Sequence, residues 1–96
     1  MRQLRADLAP LNVIESLERY RDEGVPTGDF LRAVLENNLC DSIGRADNYN
    51  LLALPDIVAW VYNRMPSSVW NSPEKYKAWI ERKYKEREGR RNNETR

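Results

Sequence analysis

The sequence predicts an all-α fold: a compact bundle of about four helices followed by a polar, basic C-terminal tail. Three observations carry that expectation. Apolar residues return at spacings of three and four in four separate stretches, the period of a helix face. Breaker clusters, Gly24-Val-Pro-Thr-Gly28 above all, fall between those stretches. No segment has the clean alternation and β-branched enrichment of a strand, and no internal repeat of useful length is visible. A chain of 96 residues has room for one modest core, so 1–84 reads as a single helical domain and 85–96 as a charged, flexible tail.

Pro10 suits the first turn of a helix, where its missing N–H is no loss. Leu11, Ile14, Leu17 and Tyr20 then recur at helical spacing up to Gly24, which predicts helix one over 10–23. After the breaker cluster, Thr27 is placed to cap a second helix, with Asp29 in its first turn near the positive helix end. Phe30, Leu31, Val34, Leu35, Leu39 and Ile43 form one apolar stripe, so this helix is expected to run unbroken to about Gly44, with Leu31, Val34 and Leu35 at the centre of the core.

Asp47, in the polar stretch 45–50, is a plausible cap for the third helix. That helix spans 51–65 and presents Leu54, Ile57, Val58, Val61 and Met65. Pro55 lies inside it and is expected to kink it, or to end a short turn and restart the helix, because proline removes one helical hydrogen bond and clashes with the preceding turn. Ser72-Pro73-Glu74 combines an N-cap, a first-turn proline and a carboxylate at the positive helix end, which starts helix four. Tyr76, Trp79, Ile80 and Tyr84 make its inner face. The apolar pattern ends there, and the polar run that follows is expected to be frayed or disordered.

Composition narrows function mainly by exclusion. The chain is 41% hydrophobic and 32% charged, and no apolar run approaches the roughly 20 residues that a bilayer requires, so no membrane role is expected. Met1-Arg-Gln-Leu-Arg-Ala-Asp-Leu lacks the apolar stretch of an export signal, and a single cysteine forms no internal disulfide; no export is expected, and a reducing, intracellular setting fits. Histidine is absent, which removes Ser-His and Cys-His nucleophile pairs and every zinc site that uses histidine. No phosphate loop, dinucleotide fingerprint or metal motif is present, so neither cofactor nor enzymatic activity is expected. Two of Asp29, Asp41, Asp47 and Asp56 converging for acid-base work, or to bind a magnesium ion, is the catalytic alternative; capping and dipole complementarity account more simply for Asp29, Asp47 and Asp56. Cys40 reads as a small buried or half-buried hydrophobe rather than a nucleophile.

Net charge is +1, but it is uneven: residues 1–74 carry seven Lys/Arg against eleven Asp/Glu, and residues 75–96 carry nine against four. The basic end interleaves Lys75, Lys77, Arg82 and Lys83 with Tyr76, Trp79 and Tyr84, a mixture that would suit phosphates and stacked bases. At helical spacing the same mixture describes a core side and a solvated face, which is the preferred reading. Three tryptophans and five tyrosines exceed what one small core readily encloses, so self-association, as a twofold dimer, is expected.

The segment from Gly28 to Trp79 carries ordered blocks: Gly28-Asp-Phe-Leu-Arg-Ala-Val-Leu-Glu-Asn-Asn-Leu39; Gly44-Arg-Ala-Asp47 with Asn50; Ile57-Val-Ala-Trp-Val-Tyr-Asn63; Pro66; and Trp70-Asn-Ser-Pro-Glu-Lys75 with Trp79. Taken together, these blocks resemble a group of small proteins encoded by tailed phages and prophages. Asn71 stands where the pattern leads one to expect glycine, and the tail beyond Tyr84 is longer. The resemblance implies a compact helical accessory protein in the cytoplasm of a bacterial host, and supplies no reaction or assigned site. The function expected from it is non-enzymatic binding that blocks or sequesters a host component, with a defence factor as a reasonable target.

Turns are satisfied by glycine, asparagine, aspartate, serine and proline. Arg45, Tyr49 and Trp70 exceed that need and belong to the residue types that dominate binding hot spots, so they are the expected partner-binding residues. A competing expectation folds Trp70 inward over the open end of the bundle and leaves Arg45 solvated. A second candidate site gathers Asn38, Arg45, Trp70 and Lys75 around an anionic, aromatic ligand such as a nucleotide-derived signal, with arginine on phosphate, an amide on a base edge and tryptophan stacking. Against it stands an internal network in which Asn37 or Arg45 ties loop carbonyls. The expected partners are thus a host protein or a nucleotide-derived small molecule, with nucleic acid on helix four and the tail as the further alternative.

Overall fold

A computed structural model describes the backbone of residues 9–94 and the side chains of residues 9–89. Among the described residues five helices follow one another: α1 (Leu11–Glu23), α2 (Asp29–Leu35), α3 (Leu39–Arg45), α4 (Asn48–Arg64) and α5 (Pro73–Glu94), with a 3-10 turn at Ser67–Val69 before the last. No strand occurs among the described residues. The fold is all-α as expected; the helix count is not.

The extra helix comes from a break in the stripe that the sequence offers as one helix. Asn37 takes a left-handed φ of 59°, a conformation that asparagine tolerates better than most residues. The N–H groups of Asn37 and Asn38 turn back onto the carbonyls of Val34 and Ala33, closing α2. Asn38 then opens α3, its side-chain oxygen accepting from the Asp41 N–H at 3.1 Å. The break rotates α3 away from the core. Leu39 and Ile43, expected inside, are exposed, and so is Cys40, which corrects its placement as a buried or half-buried hydrophobe.

The other helix ends mostly follow local chemistry. Pro10 sits at the N-cap of α1, and Gly24 ends the helix at φ 68° with its N–H on the Tyr20 carbonyl. Glycine is required at this position twice over, since a Cβ there would also overlap the Lys83 side chain of α5. Thr27 does not cap α2. Gly28 is the N-cap, and Thr27 is drawn instead to Tyr76, whose hydroxyl accepts from the Thr27 N–H at 3.1 Å. Asp47 caps α4 through the Asn50 N–H at 2.7 Å, and Ser72 caps α5 through the Lys75 N–H at 3.1 Å, both as the sequence indicates.

Two corrections concern continuity. Of the two expectations for Pro55, the restart is overturned: the helix carrying it starts at Asn48 and runs to Arg64 without a break. Leu54, Ile57 and Val61 are buried on either side of the proline, and this shared burial outweighs one missing backbone bond. Asp56 consequently lies buried in mid-helix rather than beside a helix start, so it is not a cap. At the C-terminus, α5 continues past Tyr84 to Glu94, where fraying was expected. Arg87 donates to the Glu23 carbonyl at 2.9 Å, and Glu86 pairs with both Arg82 and Lys83, which ties the charged turns to α1 and to one another. Arg96 lies outside the described residues.

α1 packs on α4, α2 on α3, and α5 on the 3-10 turn and α2. Leu17, Tyr20, Leu35, Ile57, Trp60 and Val61 are fully enclosed, each such side chain contributing about 1.5–3 kcal/mol by burial. α1 buries Val13, Leu17 and Tyr20, while Leu11, expected inward, is exposed. α5 contributes Tyr76 fully and Trp79 and Ile80 in part; Tyr84 lies outside the core.

Candidate functional site

A surface concavity of about 610 Å³ lies between the start of α2 and the start of α5. Arg32 and Lys77 share it with Asp29, Glu74 and Glu81, so it offers no concentrated charge of either sign. Its buried aromatic, Tyr76, already serves Thr27 through its hydroxyl and Arg32 through its ring face, 5.5 Å from the guanidinium.

A smaller slot of about 180 Å³ opens between α3 and α4, lined by Val34, Asn38, Leu39, Leu54, Val58 and Trp70 among others. Trp70 is half-buried against the core and forms part of the slot wall; its indole N–H is buried without an acceptor. The inward reading of Trp70 therefore describes its position, and only part of the ring is left for a partner. Asn71 beside it adopts φ 95°, accepts from the Asn37 amide at 2.7 Å through its side-chain oxygen, and donates its backbone N–H to the Leu35 carbonyl at 2.7 Å. The Trp70 turn is thus tied to the break between α2 and α3, with Asn37 in the role of an internal staple.

Of the four residues expected around an anionic aromatic ligand, only Asn38 and Trp70 line the same cavity. Both ends of the Asn38 amide are engaged by Asp41, one with the backbone N–H and one with the carboxylate, each at 3.1 Å. Arg45 lines a separate polar hollow with Asp29, Arg32, Glu36 and Asp41, and pairs with Asp29 at 3.3 Å. Three carboxylates against two guanidinium groups make that hollow a poor host for phosphate. Lys75 reaches back to the Ser67 carbonyl at 3.1 Å and pins the 3-10 turn to α5.

The basic helix is likewise occupied with its own packing. Trp79 donates to the Tyr20 carbonyl at 2.8 Å and carries Lys83 and Arg82 at 5.0 and 5.9 Å from its ring. Tyr76 stacks on Tyr20 inside the core. These aromatics act as structural members of the α1–α5 contact and offer bases little stacking surface.

What stands out is apolar surface on α3 and α4. Tyr49 and Leu52 are 74% and 83% exposed near the start of α4; Tyr62 is 75% exposed toward its end, and Leu39, Ile43, Leu51 and Val58 are also open. The sequence points to Tyr49 but not to the others, because helical spacing assigns Leu39, Ile43 and Val58 to inner faces. The Asn37-Asn38 pair was the available signal, since asparagine favours both the left-handed turn and the N-cap found there. Among the described residues, no group of acidic, cysteine or histidine side chains is arranged to hold a metal ion, and no helix is long and apolar enough to cross a membrane. Family models, curated proteins and solved structures were compared with the chain, and none matched.

Proposed function

We propose that this chain is a non-enzymatic binding protein of phage type that blocks or sequesters a component of the bacterial cell, acting in the host cytoplasm, with a defence factor as its target class. The target class rests on the phage resemblance alone. The binding reading is supported by one observation: Tyr49 and Leu52, three residues apart at the start of α4, are 74% and 83% exposed, shortly after the half-exposed Arg45 that ends α3. Neither capping nor core packing uses them, and tyrosine and arginine are residue types that anchor protein interfaces.

Affinity capture from bacterial lysate, with mass spectrometry of both proteins and small molecules, tests this reading. The expected result is a host protein retained by the wild-type chain and lost on Tyr49→Ala. Retention of nucleic acid with a steep loss on added salt would replace it by the nucleic-acid reading. A nucleotide that raises stability by about 2.7 kcal/mol at 100 times its dissociation constant would replace it by a nucleotide sponge.

A further inference from the structure

We propose that α4 pairs with α4 of a second copy of this chain, antiparallel about a twofold axis that passes between Pro55 and Val58. Leu51, Pro55, Val58 and Tyr62 follow one another at spacings of four, three and four, so they share one side of the helix. All four are exposed or half-exposed. Leu39 borders this stripe across the slot that it shares with Val58, and Ile43 lies one turn further along α3.

The face carries no charge. In a chain that is 32% charged, α4 has only Asp56, which is buried, and Arg64 in its last turn. A second copy would meet no like charge on the stripe and would bury no unpaired ion there. Antiparallel pairing also sets the positive end of one helix beside the negative end of the other.

The spacing is its own mirror image along the helix. Reversing it about its midpoint sets Leu51 opposite Tyr62 of the other copy and Pro55 opposite Val58, which is the self-complementarity that a twofold interface demands. The smaller residues fall at the crossing point and the larger ones at the ends, so the helices can approach closely. Leu39, Ile43, Leu51, Val58 and Tyr62 are 63%, 48%, 43%, 37% and 75% open, and full cover of these side chains in both copies would bury at most about 1,000 Å², the lower reach of specific interfaces. Leu52 and Tyr49 lie about 90° and 150° around the helix from the stripe and stay accessible in the pair. The dimer therefore stands or falls separately from the host-binding reading.

Sedimentation equilibrium of the full chain tests it. The expected result is a mass that doubles toward high micromolar concentration. Leu51→Lys and Tyr62→Glu are each expected to stay monomeric where the wild type is dimeric, with unchanged helical circular dichroism. Mixed in equal amounts they are expected to recover the dimer, because the register sets the new lysine of one copy against the new glutamate of the other. A wild type that stays monomeric overturns the pairing, and this measurement holds however the variants fold. Folded single variants that still dimerise like the wild type, or a mixture that fails to recover, overturn it equally.

Discussion

The rings of Tyr20 and Tyr76 lie 5.1 Å apart and 10° from parallel, which joins α1 to α5 through the centre of the core. The Tyr20 hydroxyl donates to the Val69 carbonyl at 2.6 Å, and its own backbone carbonyl accepts from Trp79. One side chain thus ties together the first helix, the 3-10 turn and the last helix. Tyr20→Phe keeps the stack and removes the donor, leaving a carbonyl of the buried Val69 unpaired. The expected cost is about 1–3 kcal/mol, read from urea denaturation at neutral pH.

The same tyrosine gives the fold an alkaline limit. Burial, followed by the neighbouring Tyr76 and then the Glu36 carboxylate, pushes the Tyr20 hydroxyl well above the ordinary tyrosine range. The folded state then holds a proton that the unfolded chain releases. This contribution is intact below the ordinary value of about 10 and is lost as pH rises toward the folded value. Denaturation midpoints measured across that range should fall for the wild type and fall less steeply for Tyr20→Phe. Parallel slopes would show that other groups govern the loss.

Leu35 is fully enclosed at the end of α2, and its carbonyl receives the Asn71 N–H. Leu35→Ala leaves that backbone bond in place and opens a cavity, for an expected cost of about 2–5 kcal/mol. An unchanged denaturation midpoint would show that the surrounding helices close the space.

Asn71 holds φ at 95°, a left-handed value that favours glycine, and offsets it with the side-chain bond from Asn37. Asn71→Ala loses the bond and keeps the strain, so it should cost about 1 kcal/mol or more. Asn71→Gly loses an exposed bond but relaxes the backbone, so its melting temperature should match or exceed that of the wild type. The reverse order of the two variants would assign the turn's stability to the side-chain bond alone.

These positions also show what a sequence of this kind makes legible. Asp47, Ser72 and Gly24 mark helix ends through chemistry that reaches three or four residues along the chain, and each acts where local reasoning puts it. The core segment around Leu31, Val34 and Leu35 follows from periodicity in the same way. The break at Asn37 is harder to read, because an apolar stripe continues across it and only the contact with Asn71, 34 residues away, shows why the turn is held. The length of α5 has the same character: Lys85 to Glu94 has no apolar face of its own, and the bond from Arg87 to Glu23 comes from distant chain. The exposed faces of α3 and α4 were hidden for a related reason, since hydrophobic spacing indicates that a face exists and not what covers it.

Ending the chain at Tyr84 removes the bond from Arg87 to the Glu23 carbonyl and the pairing of Glu86 with the exposed Arg82 and the partly buried Lys83. None of the buried core residues is lost. The expected loss is about 0.5–1.5 kcal/mol, with the helical circular-dichroism signal reduced only by the turns removed. Collapse of the whole signal would make the far end of α5 essential to the fold.

The last prediction separates binding from folding at the start of α4. Arg45 meets Asp29 at 3.3 Å with both side chains largely in water, so the pair contributes at most about 1 kcal/mol, and Arg45→Ala should barely move the melting temperature. Tyr49 is 74% exposed, so Tyr49→Ala should likewise barely move the melting temperature. Trp70 is the opposite case: it forms a wall of the slot and packs against the core, so Trp70→Ala should lower stability and binding together. If the surface around Arg45 and Tyr49 receives the host component, the first two variants weaken its capture while melting at nearly the wild-type temperature. Full capture by both removes this site. Equal loss of stability and capture makes the two residues part of the frame that holds α3 against α4.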